Sequence, residues 1–86
     1  MTPSAEEIGD WIVARVSALT EAPPEEIDVR APLTRHGLDS VAVIALAADL
    51  EKWLGYRFRS NPLDAHPTIE ALARYLAAEV AKGRPA

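Results

Sequence analysis

Apolar residues return at Ile8, Ile12, Val16 and Leu19, with Trp11 beside them. Steps of four, four and three residues place these side chains on one face of a helix. Pro3-Ser4-Ala5-Glu6-Glu7 marks its start, because Ser4 can cap and Glu7 three residues on completes a capping box. Thr20 to Pro24 ends the run, so the pattern predicts a first helix over roughly Ala5 to Leu19. A second helix opens at Asp39-Ser40, either of which suits an N-cap, and runs from Ser40 to Leu54 without proline or glycine. Val43, Ala47, Leu50 and Leu54 form its stripe, Ile44 and Leu46 widen it, and Gly55 stands where a C-terminal glycine cap belongs. A final helix is capped by Thr68, carries Ile69, Leu72, Leu76 and Val80 on one face, and stops at Gly83-Arg84-Pro85-Ala86.

Between these runs the pattern lapses. Residues 21–39 contain Pro23, Pro24, Pro32 and Gly37, and a loop of that length in a small domain points to function. Ile27, Val29, Leu33 and Leu38 are placed to pin it onto a core, and Pro24-Glu25-Glu26-Ile27 fits one helical turn. In residues 56–67, Ser60-Asn61-Pro62 suits the start of a short helix, with Asn61 capping, and His66-Pro67 must break it. Three amphipathic helices bury their stripes against each other, so the expected fold is all-α: a four-helix bundle of three main helices and one short one, with a long first loop. Alanines crowd the second and last helices, which predicts close approach there. No strand pair and no internal repeat is apparent.

Composition narrows the function. The chain has 86 residues, and 49% hydrophobic with 26% charged residues is the mix of a folded domain. One small core fits this length: a single domain over 1–86, with its core at about 5–81 and 82–86 as a flexible tail. That leaves little room for an enclosed catalytic pocket. Cysteine is absent, which removes thiolate nucleophiles, disulfides and zinc-thiolate sites, and fits a reducing cytosol. The longest apolar run, Val41 to Ala48, is far short of a membrane span, and the acidic N-terminus is unlike a signal peptide. A cytoplasmic location follows. Net charge is −4, with the first 28 residues strongly acidic and the bases scattered, which disfavours nucleic acid.

The most unusual local feature is Gly37-Leu38-Asp39-Ser40-Val41, a serine hydroxyl at the mouth of a helix after a glycine. A helix N-terminus has unpaired N–H groups and the positive end of the dipole, so an anion attached to Ser40 would be well placed. An ordinary pair of helix caps explains the same residues.

Leu33-Thr34-Arg35-His36-Gly37-Leu38-Asp39-Ser40-Val41, then Leu46, Leu50-Glu51 and Gly55, then Pro67-Thr68-Ile69-Glu70-Ala71-Leu72, together resemble an acyl carrier protein of the phosphopantetheine-binding family over nearly the whole chain. Asp-Ser alone is a weak signal; the Gly-x-Asp-Ser core followed by Pro-Thr-Ile-x-x-Leu is specific. The resemblance implies a four-helix bundle with no catalytic activity of its own. It implies 4′-phosphopantetheine attached covalently to Ser40 by a phosphopantetheinyl transferase, with Asp39, Leu38 and Val41 around the attachment. Acyl groups would ride on the arm as thioesters. It further implies that the second helix is the recognition helix, with Leu38, Val41, Asp49 and Glu51 as contacts. The implied partners are that transferase, an acyl-loading enzyme (a fatty-acyl-AMP ligase or an acyltransferase) and a ketosynthase or other pathway enzyme, around a monomeric carrier.

The chain departs from many fatty-acid-synthesis carriers, which have acids soon after the serine. Ala42 and Ala45 stand here, and the acids come late, at Asp49 and Glu51 beside Lys52. The core segment is more similar to carriers of polyketide synthases, and Asp49-Leu50-Glu51-Lys52-Trp53-Leu54-Gly55 to carriers paired with fatty-acyl-AMP ligases. Two rivals stay open: a peptidyl carrier of a nonribosomal pathway, disfavoured by Leu38-Asp39, and a non-covalent helical interaction module in which Ser40 only caps. His36 reads as a loop-packing residue, and neither His36 nor His66 has the neighbours of a metal site. Adjacent Asp39 and Ser40 cannot readily form a hydrolase relay. Trp11 and Trp53 read as partly buried packing residues, Arg57 and Arg59 around Phe58 as solvated charge, and Ser60 as a cap. Met1 and the short tails fit a free-standing chain, and an excised domain would look the same.

Overall fold

Helix caps set the framework. The computed structural model describes residues 3–58 and 62–82. The Ser4 hydroxyl accepts from the Glu7 amide at 3.1 Å, and the Glu7 carboxylate accepts from the Ser4 amide at 3.1 Å, which completes the capping box. From it runs α1, Ala5–Thr20. Asp39 caps α2, Ser40–Leu54, which ends at Gly55 with φ 67°. Thr68 caps α3, Ile69–Ala81, its hydroxyl accepting from the Ala71 amide at 3.1 Å. Among the described residues there is no strand, and the fold is the expected all-α bundle.

The core is wholly apolar among the described residues. Ile8, Ile12 and Val16 of α1, Leu46 and Leu50 of α2, and Ile69, Leu72 and Leu76 of α3 are at most 1% exposed. Each large side chain so buried contributes about 1.5–3 kcal/mol. The most extensive helix contact is between α1 and α3, and it has a small-residue seat: a Cβ added to Gly9 would lie 3.8 Å from the Ala73 Cβ. The alanines of α2 do not serve the close approach predicted for them, since Ala45 and Ala48 face solvent and only Ala47 is buried. Instead α2 lies against α1 through long side chains. Trp53 stacks on Trp11 at 5.0 Å between ring centroids, and Asp49 pairs with Arg15. The pairings 11 with 53 and 15 with 49 make α1 and α2 antiparallel.

Two of the expected stripe residues are corrected. Ile44 does not widen the buried stripe of α2; it is 62% exposed, because the core-facing arc is centred on Leu46 and Leu50. Leu19 is exposed, since it lies in the last turn of α1, past Val16, the last buried residue of that helix. The short helix expected from Ser60-Asn61-Pro62 shows, among the described residues, one turn closed by the His66 amide on the Pro62 carbonyl at 2.9 Å. Pro67 accounts for its brevity, because the residue before a proline is pushed out of the helical region. Arg59, Ser60, Asn61 and Gly83 to Ala86 lie outside the described residues.

The long first loop is ordered by its own turns and by α3. Pro24–Glu26 forms the expected single turn, and Leu33–His36 forms a second that the sequence pattern did not announce. Ile27, Leu33 and Leu38 enter the core. The Leu33 amide donates to the Pro67 carbonyl at 3.0 Å and the Glu70 amide to the Val29 carbonyl at 2.9 Å, around an isolated antiparallel bridge of Pro32 with Thr68. This fastening carries the loop to the start of α2, where Ser40 stands.

Candidate functional site

Gly37 turns the chain toward α2 with φ 81°, a conformation that costs a residue with a side chain about 1–2 kcal/mol. Leu38 then drops into the core at 5% exposure, and Asp39 takes the N-cap position, its carboxylate accepting from the Ala42 amide at 2.8 Å. The capping role therefore falls to Asp39. Ser40 is the first residue of α2, is exposed, and its hydroxyl makes no hydrogen bond with the described residues. An exposed hydroxyl without a structural task, at the positive end of a 15-residue helix, is free for covalent substitution by an anionic group.

Beside Ser40 lies an open groove of about 510 Å³. Val43 and Ile44 of α2 form one wall, Pro32, Leu33 and Thr34 of the first loop another, and Leu63, Asp64 and Pro67 of the second loop the third. The lining is mostly apolar, with polar groups at Ser40, Thr34 and Asp64. The sequence reading missed the groove, since its walls come from three segments far apart in the chain. The one local signal was the pair of prolines, Pro32 and Pro67, that the backbone bridge brings together. A phosphodiester on Ser40 fits this setting: the residue is exposed, the space beside it is open, and no carboxylate among the described residues is buried.

The other predicted contacts have different positions. Val41 is 73% exposed next to Ser40 on the solvent side of α2. Leu38 is a buried core side chain directly before the cap residue. Asp49 is turned to α1 by its pair with Arg15. The Glu51 carboxylate accepts from the Phe58 amide at 2.6 Å and so organises the exit from α2. Ser40 and Val41 thus stand together at one end of α2, and Asp49 and Glu51 flank its far half. His36 Nε2 lies 3.1 Å from the Asp28 carbonyl, a loop-packing contact, and His66 stacks on Tyr75 at 4.3 Å. Among the described residues no group of three His, Cys, Asp or Glu is arranged to hold a metal, and no helix is long and apolar enough to cross a membrane.

Residues 10–76 match the family model described as phosphopantetheine attachment site. The acyl carrier protein TtuC of Teredinibacter turnerae is 32% identical over 91% of this chain and 90% of its own length. A phenolphthiocerol/phthiocerol polyketide synthase polypeptide of Mycobacterium tuberculosis is 33% identical over 77% of this chain, a stretch that is 4% of that much larger protein. A crystal structure of a free-standing peptidyl carrier protein from an uncharacterized secondary metabolic pathway of Acinetobacter baumannii superposes with a TM-score of 0.82. It is 31% identical, over 90% of this chain and 96% of that one.

Proposed function

This chain belongs to the phosphopantetheine attachment-site family, and on that premise we propose that Ser40 is its attachment residue and that the arm carries acyl groups. The protein is a carrier with no catalytic activity of its own, and its cofactor is 4′-phosphopantetheine held covalently on a serine. Carriers of this kind work with a phosphopantetheinyl transferase and with enzymes of a synthase pathway. The observation that carries the Ser40 assignment is the division of labour at the helix start, where Asp39 caps and the Ser40 hydroxyl is left unengaged.

In this reading the transferase joins the Ser40 oxygen to the phosphate of coenzyme A that bears the pantetheine half. The hydroxyl proton is lost and the adenosine bisphosphate half leaves. The arm supplies a thiol, absent from the chain itself, on which acyl groups are held as thioesters. The chain's own residues do the rest. Asp39 and the first turn of α2 hold the attachment oxygen at the surface, Val41 offers an apolar contact beside it, and Val43 and Ile44 of the groove wall would contact the arm. The carrier unit is the single domain core, about residues 5–81, working in a reducing cytosol that keeps the arm's thiol free.

Acyl cargo in a polyketide or fatty-acid-like pathway is supported by Leu38-Asp39 ahead of Ser40 and by the acyl carrier and polyketide synthase relatives. A peptidyl carrier is the second reading, favoured by the Acinetobacter baumannii structure. Intact mass before and after incubation with coenzyme A, Mg²⁺ and a broad-specificity transferase tests the attachment. One phosphopantetheine is gained by the native protein and none by Ser40→Ala. No gain by a folded, unmodified native protein returns Ser40 to a residue of the helix start. Offering the modified protein to a fatty-acyl-AMP ligase and to an amino-acid-adenylating enzyme then separates the two cargoes, with acylation by the first expected.

A further inference from the structure

The segment that leads to Ser40, residues 34–38, has few attachments of its own. Leu33 and Leu38, 2% and 5% exposed, pin its two ends in the core. Between them the backbone bonds stay local, with the Arg35 amide on the Pro32 carbonyl at 2.9 Å and the Gly37 amide on the Thr34 carbonyl at 3.2 Å. One side chain reaches out. Among the described residues, His36 alone in this segment hydrogen-bonds to a distant part of the loop, its Nε2 lying 3.1 Å from the Asp28 carbonyl. A carbonyl oxygen only accepts, so Nε2 carries the proton and donates. The acceptor is itself held in place. The Asp28 carbonyl also accepts from the Ala31 amide at 3.2 Å, and the Asp28 carboxylate accepts from the Arg30 amide at 2.9 Å. The next carbonyl, that of Val29, accepts from the Glu70 amide of α3 at 2.9 Å.

Resting on the carrier reading, we propose that His36 is a positioning residue for the attachment reaction: by donating to Asp28 it fixes the turn that aims Ser40 at the transferase. The two core leucines set the depth of the segment and leave it free to rock about the line that joins them. His36, half-buried between them in the chain, stands off that line and ties the turn to α3 through Asp28 and Val29. A shift of the turn passes through Gly37, with φ 81°, to the cap at Asp39 and so to Ser40. Without the tether several presentations of Ser40 share the population. The transferase engages only the productive fraction, so apparent affinity falls by that fraction and the step on the bound carrier is unchanged. The role asks for an N–H at this point and for no proton transfer.

The test follows mass gain at Ser40 of the unmodified protein with saturating coenzyme A, Mg²⁺ and a broad-specificity phosphopantetheinyl transferase, while the carrier concentration is varied. His36→Ala is expected to raise KM about fivefold and to leave kcat within about twofold. His36→Gln keeps an N–H at about the reach of Nε2 and restores the native KM. His36→Asn reaches only about as far as Nδ1 and behaves as the alanine variant. Far-UV circular dichroism and urea unfolding verify that each variant is folded in the assay. NMR of the imidazole nitrogens in the native protein at about pH 8, where the ring is neutral, is expected to find the proton on Nε2. A KM unmoved by His36→Ala, with stability alone reduced, overturns the proposal and leaves His36 a packing residue. A glutamine variant as poor as the alanine one overturns it too, and so does a proton on Nδ1. In each of those outcomes the native protein still gains its phosphopantetheine and the carrier reading stands. No mass gain by the native protein overturns the carrier reading and the proposal with it.

Discussion

At the scale of single residues, backbone conformation and capping set the energies around Ser40. Gly37 has φ 81° with nothing within 4 Å of an added Cβ, so Gly37→Ala meets only backbone strain. It should lower stability by about 1 kcal/mol in urea unfolding. Glu21 has φ 60° at the end of α1, and Glu21→Gly should raise stability by about 0.5 kcal/mol, the relief of strain partly offset by glycine's greater freedom in the unfolded chain. Asp39→Ala removes the cap on the Ala42 amide and should cost about 1 kcal/mol, while Asp39→Asn keeps most of it. The caps at Ser4, Asp39 and Thr68 were legible because a cap is made within three residues of chain. The choice between Asp39 and Ser40 was not, since both types cap equally well and only the backbone turn at Gly37 decides between them. Leu38 was legible as a residue that pins the loop onto the core, and the same turn sets its direction inward.

At the scale of elements, α2 divides into a buried side and a bare side. Leu50 is fully buried, so Leu50→Ala should cost about 2–5 kcal/mol, measurable as a shift in the urea midpoint. Ile44→Ala, at 62% exposure, should change stability by less than about 0.5 kcal/mol. The contrast tests the orientation of the helix, which periodicity alone left ambiguous because Val41, Val43, Ile44 and Leu46 follow one another too closely to assign a face. The three helices and their ends were readable from spacing, glycine and proline. The turn at Leu33–His36 was not, having neither a cap nor a periodic stripe. It exists because Leu33 is buried and its amide is taken by Pro67, a contact between distant parts of the chain.

At the scale of the whole molecule, α1 and α3 form the tight pair, and α2 is held by its core leucines, by the fastened first loop and by a flank of long side chains on α1. The Arg15–Asp49 pair on that flank is 44% and 35% exposed, so Asp49→Asn should change stability by less than about 1 kcal/mol, and less still in high salt. The groove beside Ser40 belongs to this level too: no segment contains it, and it was invisible in the sequence until three segments were brought together. The Trp11–Trp53 stack joins α1 to α2 on the same flank, with ring centroids at 5.0 Å and planes 11° apart. Two indoles so close share their electronic excitation, so the protein has a built-in optical gauge of the distance between α1 and α2. A cargo that wedges the bundle open must weaken the paired-indole signal in circular dichroism, whereas one that stays outside the helices leaves it untouched. The location of a bound chain can therefore be read by spectroscopy from the protein's own rings, without a label.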